Sequence, residues 1–268
     1  MSLSTLKTGG KPEIFKQPDS VPQLQSIIQS AKTPSLPVYV IGGGSNIVIP
    51  DDGIKGLTIS TLSLNSIQWL DDRTARIGAG YPISMLVSRG LDFCVGIPGS
   101  IGGAVMGNAG AGGLGVCEFV DEVECVDSSG KIVTFRRGEF DYGYRYCSLS
   151  GVIAASVTMT LPEPDPKVRQ EFLLKRKNQP LDSPSAGCTF KNPEGFSAGK
   201  LLDECGCKGL RVGGAQVSTK HANFIINTGN ATSSDVLELS ELCAKKVFES
   251  TGIKLEREIK ILTPCFFV

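Results

Sequence analysis

The chain has 268 residues, and its 27 Lys and Arg are balanced by 27 Asp and Glu. Zero net charge argues against nucleic acid or an anionic membrane as the main partner, and leaves room for a local basic patch that holds a phosphorylated ligand. No apolar run reaches the length of a membrane span, the first thirty residues lack the apolar core of a secretory leader, and 41 % hydrophobic content is that of an ordinary globular protein.

In chain order, "VPQLQSIIQSA" (21–31) spaces Leu24, Ile27, Ile28 and Ala31 as one apolar helix face. "PVYVIGGGSN" (37–46) reads as a buried strand running into glycines. "TARIGAG" (74–80) is a short strand, and "ISMLVSRG" (83–90) a short helix stopped at Gly90. "DEVECVDSSGKIVTF" (121–135) alternates on both sides of a Ser-Ser-Gly turn and predicts a hairpin. "GVIAASVTMTL" (151–161) is β-rich, and the prolines of "PEPDPKVRQ" (162–170) mark a domain boundary near 162–168. Beyond it, "FSAGKLLDECG" (196–206) predicts a helix and "HANFIINTG" (221–229) a strand. "SDVLELSELCAKKVFESTG" (234–252) predicts a helix burying Val236, Leu239, Cys243 and Val247 and ending at Gly252. "IKLEREIKIL" (253–262) alternates as a strand. Segregated helices and strands give an α+β protein rather than a regular βαβ array.

Nine cysteines, an odd number at irregular spacing, do not make a disulfide framework. They fit a reducing cytoplasm. "CGC" (205–207) lacks a second Cys/His pair, and with one histidine in the chain no metal site is expected.

Two glycine segments carry the strongest signal. "IGGGSN" (41–46) follows a strand and lacks the G-x-G-x-x-G dinucleotide fingerprint. By itself it is a turn, or a concavity of backbone N–H groups for a phosphate. "GIPGSIGGAVMGNAGAGG" (96–113) is nearly uncharged, but Ile97, Ile101, Val105 and Met106 lie between its glycines, so it packs rather than acting as a flexible linker. Two such segments can grip the two phosphates of one dinucleotide.

Taken in order, "IGGGSN", "GIPGSIGGAVMGNAGA", "GYRYCS" (143–148), "SAGCTFKNPEGFSAGKLL" (185–202), "KGLRVGGAQVSTKHANFIIN" (208–227) and "LEREIKIL" (255–262) resemble the UDP-N-acetylenolpyruvoylglucosamine reductase family over roughly 38–262. The resemblance implies a PCMH/VAO-type FAD-binding fold of two subdomains, 1–62 and 63–165, followed by an α+β substrate domain, 166–268. It implies non-covalent FAD, with NADPH as co-substrate. The cofactor residues are Gly42, Gly43, Gly44, Ser45 and Asn46 together with Pro98, Gly99, Ser100, Gly102, Gly103, Asn108, Ala109 and Gly110. It further implies ping-pong reduction of an enolpyruvyl UDP-sugar to UDP-N-acetylmuramate for peptidoglycan, in a cytoplasmic monomer without nucleic-acid or membrane partners.

Hydride delivery to the β-carbon leaves negative charge spreading from the α-carbon into the substrate carboxylate. That charge calls for preset cations and for a proton donor on the correct face. The resemblance assigns Arg145 to the carboxylate, Glu258 beside it in protonated form, and Cys188 as the proton donor. Cys188 stands where the family usually has serine; a thiol, with a reference pKa of about 8.5, is the far stronger acid. Read alone, Cys188 is a small buried residue, Arg145 a paired or surface arginine, and Glu258 one charge on a solvated face shared with Lys254, Glu256 and Lys260. Arg176, Lys191, Asn192, Lys208 and the lone His221 match positions that hold the nucleotide diphosphate and sugar. Only 42 residues separate Arg145 from Cys188, so the chain resembles the subtype without the tyrosine lid loop. The competing expectations are an FAD-linked sugar or alcohol oxidase tethered through Cys94 or Cys117, and a non-catalytic nucleotide-binding relative.

Overall fold

The computed structural model describes residues 3–31 and 35–267. The chain forms two compact units, each assembled from separate stretches of sequence.

The larger unit comprises Pro12–Gly43, Lys55–Arg176 and Thr263–Val268. One of its sheets orders strands 12–16, 54–60, 37–41 and 266–267, with 37–41 parallel to 54–60. Helix α1 (Val21–Ser30) buries Leu24 and Ile28, which pack with Val38, Leu57 and Ile59 of that sheet. The second sheet is antiparallel and orders 132–136, 120–127, 152–160, 74–78 and 67–69. Strand 152–160 lies inside it and is buried along most of its length, in keeping with its β-rich, mostly apolar sequence. The 121–135 hairpin forms as predicted. Asp127 Oδ1 accepts the Ser129 and Lys131 N–H groups at 2.8 and 2.9 Å, and Gly130 takes φ 79° in the turn. Residues 83–89 form the expected short helix, of the tight 3-10 type, and Gly90, left-handed at φ 118°, ends it. Helices α2 (Ile101–Met106) and α3 (Pro166–Arg176) complete the unit. Buried Asp92 anchors α3 through Arg169 Nε at 2.7 Å and the Asp165 N–H at 2.7 Å.

The smaller unit comprises Met1–Lys11, Gly44–Ile54 and Lys177–Leu262. Its antiparallel sheet orders 185–188, 224–227, 215–217 and 211–212. Helix α4 (Ala198–Glu204) and α5 (Ser233–Thr251) bury Leu201, Leu202, Val236, Leu239, Cys243 and Val247 around Phe190 and Ile225. A reciprocal Thr232–Asp235 capping box starts α5, and Gly252, at φ 74°, stops it.

Segment 253–262 departs from the predicted strand. Leu255 and Ile259 are buried as the alternation requires, but the segment changes partners along its length. The Lys191 N–H donates to Glu256 O at 2.9 Å and the Glu258 N–H to Thr189 O at 2.8 Å; then the Lys260 N–H donates to Asn46 O at 3.0 Å and the Leu262 N–H to Val48 O at 3.0 Å. Only Lys260–Ile261 forms a ladder, parallel to Ile47–Val48. Among the described residues no helix is long and apolar enough to cross a membrane, and no group of three or more His, Cys, Asp and Glu side chains could hold a metal.

Candidate functional site

In the larger unit, the end of strand 37–41 delivers Gly42 and Gly43 against the second glycine segment. A Cβ on Gly42 would lie 2.4 Å from Ser100 Oγ, and one on Gly43 would lie 2.7 Å from Gly99 Cα. Neither contact tolerates a side chain, so the two predicted phosphate segments are held together by the absence of side chains. Ser100 is 2 % exposed, and its Oγ has no hydrogen-bond partner among the described residues. At Gly103, by contrast, a Cβ would meet only Ser100 Oγ at 3.7 Å; the chain's own packing does not demand glycine there.

Asn108, Ala109 and Gly110 act differently. The Ala109 N–H donates to Ala104 O at 2.7 Å and its carbonyl accepts from Val116 N at 3.0 Å. A Cβ on Gly110 would lie 1.9 Å from Leu114 O. Asn108, at φ 41°, donates from Nδ2 to Gly143 O at 2.8 Å and accepts the Cys117 N–H at Oδ1 at 3.0 Å. These three residues shape the loop with bonds made inside the chain.

Gly143 belongs to a tight hairpin, Tyr142–Gly143 paired with Tyr146–Cys147. Its turn places Arg145 at φ 56°. A non-glycine residue there carries about 1 kcal/mol of backbone strain. Arg145 is half-buried, with its guanidinium 5.2 Å over the Tyr144 ring. Arg176 ends α3 and crosses Gly96, where a Cβ would lie 2.6 Å from Arg176 Cδ. Burial pushes the Cys94 thiol up to about 12, against the pull of the Arg176 and Arg145 charges. Both predicted carboxylate- and phosphate-binding arginines therefore bear on one buried point. Gly96, the floor under Arg176, escaped the sequence reading.

In the smaller unit, Cys188 ends strand 185–188. The pairing slips between Ser185↔Ile226 and Cys188↔Phe224, and Gly187 sits in the slip at φ 77°. Such a bulge re-aims the side chain that follows it. Cys188 is half-buried. Thr5 braces this strand and the glycine loop together, donating from N to Gly44 O at 3.0 Å and from Oγ1 to Ser185 O at 2.6 Å. Glu258 is half-buried while Lys254, Glu256 and Lys260 are exposed, which sets it apart from the solvated face. Asn46 Nδ2 holds its carbonyl at 3.1 Å.

The predicted sugar-nucleotide residues divide. Lys191 pairs with Glu256 at 2.5 Å. Asn192 is exposed and accepts the Ala198 N–H at the start of α4 at 3.0 Å. Lys208 pairs with Asp203 at 2.6 Å. His221 lies edge-on to Phe224 at 5.1 Å and against Gly199, where a Cβ would lie 2.9 Å from the ring. Burial and then the Lys208 cation lower its pKa, opposed by Asp203. The Asn223 N–H donates to Nδ1 at 3.2 Å. The neutral ring thus carries its proton on Nε2. Lys208 and His221 act on one region with Asp203, a partner no motif pointed to. An open groove of about 590 Å³ beside α5, lined by Ser240, Glu241, Lys254 and Arg257 among others, contains none of the predicted residues.

Residues 179–262 match the C-terminal domain of UDP-N-acetylenolpyruvoylglucosamine reductase, and residues 12–136 match an FAD binding domain. UDP-N-acetylenolpyruvoylglucosamine reductase of Chlamydia felis is 37 % identical over 271 residues, covering 97 % of this chain and 91 % of the relative. The Clostridium novyi protein of the same name is 36 % identical over 275 residues, covering 97 % and 89 %. The crystal structure of the Thermus caldophilus reductase superposes with a TM-score of 0.82 at 34 % identity, covering 97 % and 95 %. The chain belongs to the UDP-N-acetylenolpyruvoylglucosamine reductase family. As a member of this reductase family it is an FAD- and NADPH-dependent oxidoreductase with the α+β architecture, FAD-binding domain included, expected from its motifs. The residues present fit the flavin cofactor. The Ser100 hydroxyl is buried without a partner among the described residues, and beside it the face over Gly103 is left open by the chain's own packing.

Proposed function

We propose that the chain reduces the enolpyruvyl group of UDP-N-acetylenolpyruvoylglucosamine, in peptidoglycan precursor synthesis, with Cys188 as the proton donor. Gly42, Gly43, Gly44, Ser45, Asn46, Pro98, Gly99, Ser100, Gly102 and Gly103 would hold the FAD pyrophosphate, and Asn108, Ala109 and Gly110 would keep that loop in shape. Once reduced by NADPH, FAD held there would supply the hydride. The chain's own groups do the rest. Arg145 takes the substrate carboxylate bidentately and stabilises the charge that develops there. Glu258, carrying a proton, donates beside it. Cys188 passes its proton to the α-carbon, and the thiolate regains one from solvent. Arg176, Lys191, Asn192, Lys208 and His221 hold the nucleotide diphosphate and sugar; the neutral His221 serves as an Nε2–H donor.

The observation that carries this reading is the 2.8 Å bond from the Glu258 N–H to Thr189 O. It ties the predicted carboxyl to the residue that follows the predicted thiol. An oxidase tethered to its flavin fits less well. Burial holds Cys94 protonated, and for Cys117 a hydrogen bond with Cys147 and burial do the same, so neither is a ready nucleophile. We assign the enzyme to the cytoplasm, where its nine thiols stay reduced, acting as a monomer. The test is anaerobic. NADPH should bleach the yellow protein and the enolpyruvyl nucleotide should restore the colour; colour that fails to return rejects the reading.

A further inference from the structure

Asn223 stands in the apolar strand motif "HANFIIN", 3 % exposed, and no motif assigned it a role. Its Oδ1 accepts the Phe190 N–H at 2.9 Å, and its Nδ2 donates to Phe190 O at 2.8 Å. Its carbonyl accepts the Thr189 N–H at 2.7 Å, and its N–H donates to His221 Nδ1 at 3.2 Å. The side chain mimics a peptide group. After the bulge at Gly187, the sheet pairing from Cys188 to Phe224 cannot continue as a regular ladder, and the amide of Asn223 supplies the next rung. On its other edge the same stretch is held by 256–258, through Lys191 N to Glu256 O and Glu258 N to Thr189 O.

We propose that Asn223 is the positioning residue of the proton-delivering half of the site: it fixes residues 189–190, and so the aim of Cys188 and its registry with Glu258, while its backbone selects the His221 tautomer. Only an amide of this length both donates and accepts at Phe190. Serine cannot span both groups, and a carboxylate turns the Nδ2 donation into repulsion from the Phe190 carbonyl. This inference rests on the reductase reading and on the role of Cys188.

The test uses Asn223→Asp, with Asn223→Ser as a second variant, in the FAD-loaded enzyme. Three quantities are measured: reduction of the flavin by NADPH, its anaerobic reoxidation by the enolpyruvyl nucleotide, and hydrogen exchange at the Phe190 amide. Flavin content and reduction rate should stay within about twofold of the unmodified enzyme. The maximal reoxidation rate should fall by about tenfold to a hundredfold, since a displacement of an ångström costs that much, with a smaller change in nucleotide affinity. Protection of the Phe190 amide should fall in the serine variant. Reoxidation by Asn223→Asp should recover as pH falls and the buried acid regains a donor proton, a rise the unmodified enzyme does not show. Unchanged reoxidation in both variants overturns the proposal. So does a proportional loss of flavin and of both half-reactions, which marks a general folding role. Failure of the underlying reading looks different: the unmodified enzyme is not reoxidised by the nucleotide, or Cys188→Ala reoxidises at the unmodified rate.

Discussion

Asn46 donates from its side-chain amide to the backbone carbonyl of Glu258 at 3.1 Å, and its own carbonyl accepts the Lys260 N–H at 3.0 Å. A residue of the glycine-rich cofactor segment thereby holds the backbone on both sides of Ile259. Asn46→Ala removes the side-chain bond and should cost about 1 kcal/mol of stability. It should also slow reoxidation by the nucleotide more than reduction by NADPH. Stopped-flow absorbance of the two half-reactions decides; equal slowing of both would put the effect on the flavin rather than on Glu258.

Ser100 offers a test of the cofactor cradle that separates binding from folding. Its buried hydroxyl has no partner among the described residues, and burying it unpaired costs about 1–3 kcal/mol. Ser100→Ala should leave the flavin-free protein as stable as before, or more stable, while weakening FAD binding. Thermal melts with and without FAD measure both. A variant that binds FAD at the original strength would remove the hydroxyl from the cradle.

Cys188 is the sharpest claim about the chemistry. Cys188→Ser should retain turnover. Cys188→Ala should accept electrons from NADPH normally yet be reoxidised roughly 10²-fold to 10⁴-fold more slowly, the range for removal of a positioned proton donor. Rapid-mixing rates for the alanine variant that match the unmodified enzyme would take the thiol out of the reaction.

His221 is the only histidine, so one imidazole C–H resonance reports it. Its pKa is lowered from 6.5, first by burial and then by Lys208. The NMR titration midpoint should lie below 6.5, Lys208→Met should raise it and Asp203→Asn should lower it. The sign for stability follows. The fold prefers the neutral ring, so this contribution is complete above about 6.5 and is lost as pH falls through the folded-state value. A midpoint above 6.5 would contradict the buried, Nε2-protonated ring.

Gly199 lies under that ring. A Cβ there would come 2.9 Å from His221 Cε1, close enough to displace the imidazole. Gly199→Ala should raise the KM for the nucleotide while leaving the rate of flavin reduction by NADPH unchanged. An unaltered KM would mean that the ring is not a nucleotide contact.

Much of the architecture was legible because it is local. The 121–135 hairpin announces itself by alternation about a Ser-Ser-Gly turn, and α5 by an apolar face that ends at a left-handed glycine. Segment 253–262 misled because its alternation is real while its partners are not local: Thr189, Lys191, Asn46 and Val48 lie far away in sequence, and no pattern within ten residues encodes a change of partner. Residues 83–89 bury Ile83, Leu86 and Val87 as a helix would, but hydrophobic spacing does not separate one tight turn type from another. The site was legible only through ordered motifs. Arg145, Cys188 and Glu258 carry no individual signal, since each is an ordinary residue until its neighbours are known. Asn223 did leave a trace, an amide just ahead of the apolar strand "FII", and Gly96 another, a glycine ahead of an Ile-Pro pair. Both were passed over because their partners, Phe190 and Arg176, become apparent only in three dimensions.

The left-handed turn that carries Arg145 sets durability against use. Replacing that arginine with glycine would relax the backbone and strip out the guanidinium in one step, so a selection for heat resistance that never assays turnover should drift toward a sturdier, inert protein at this position.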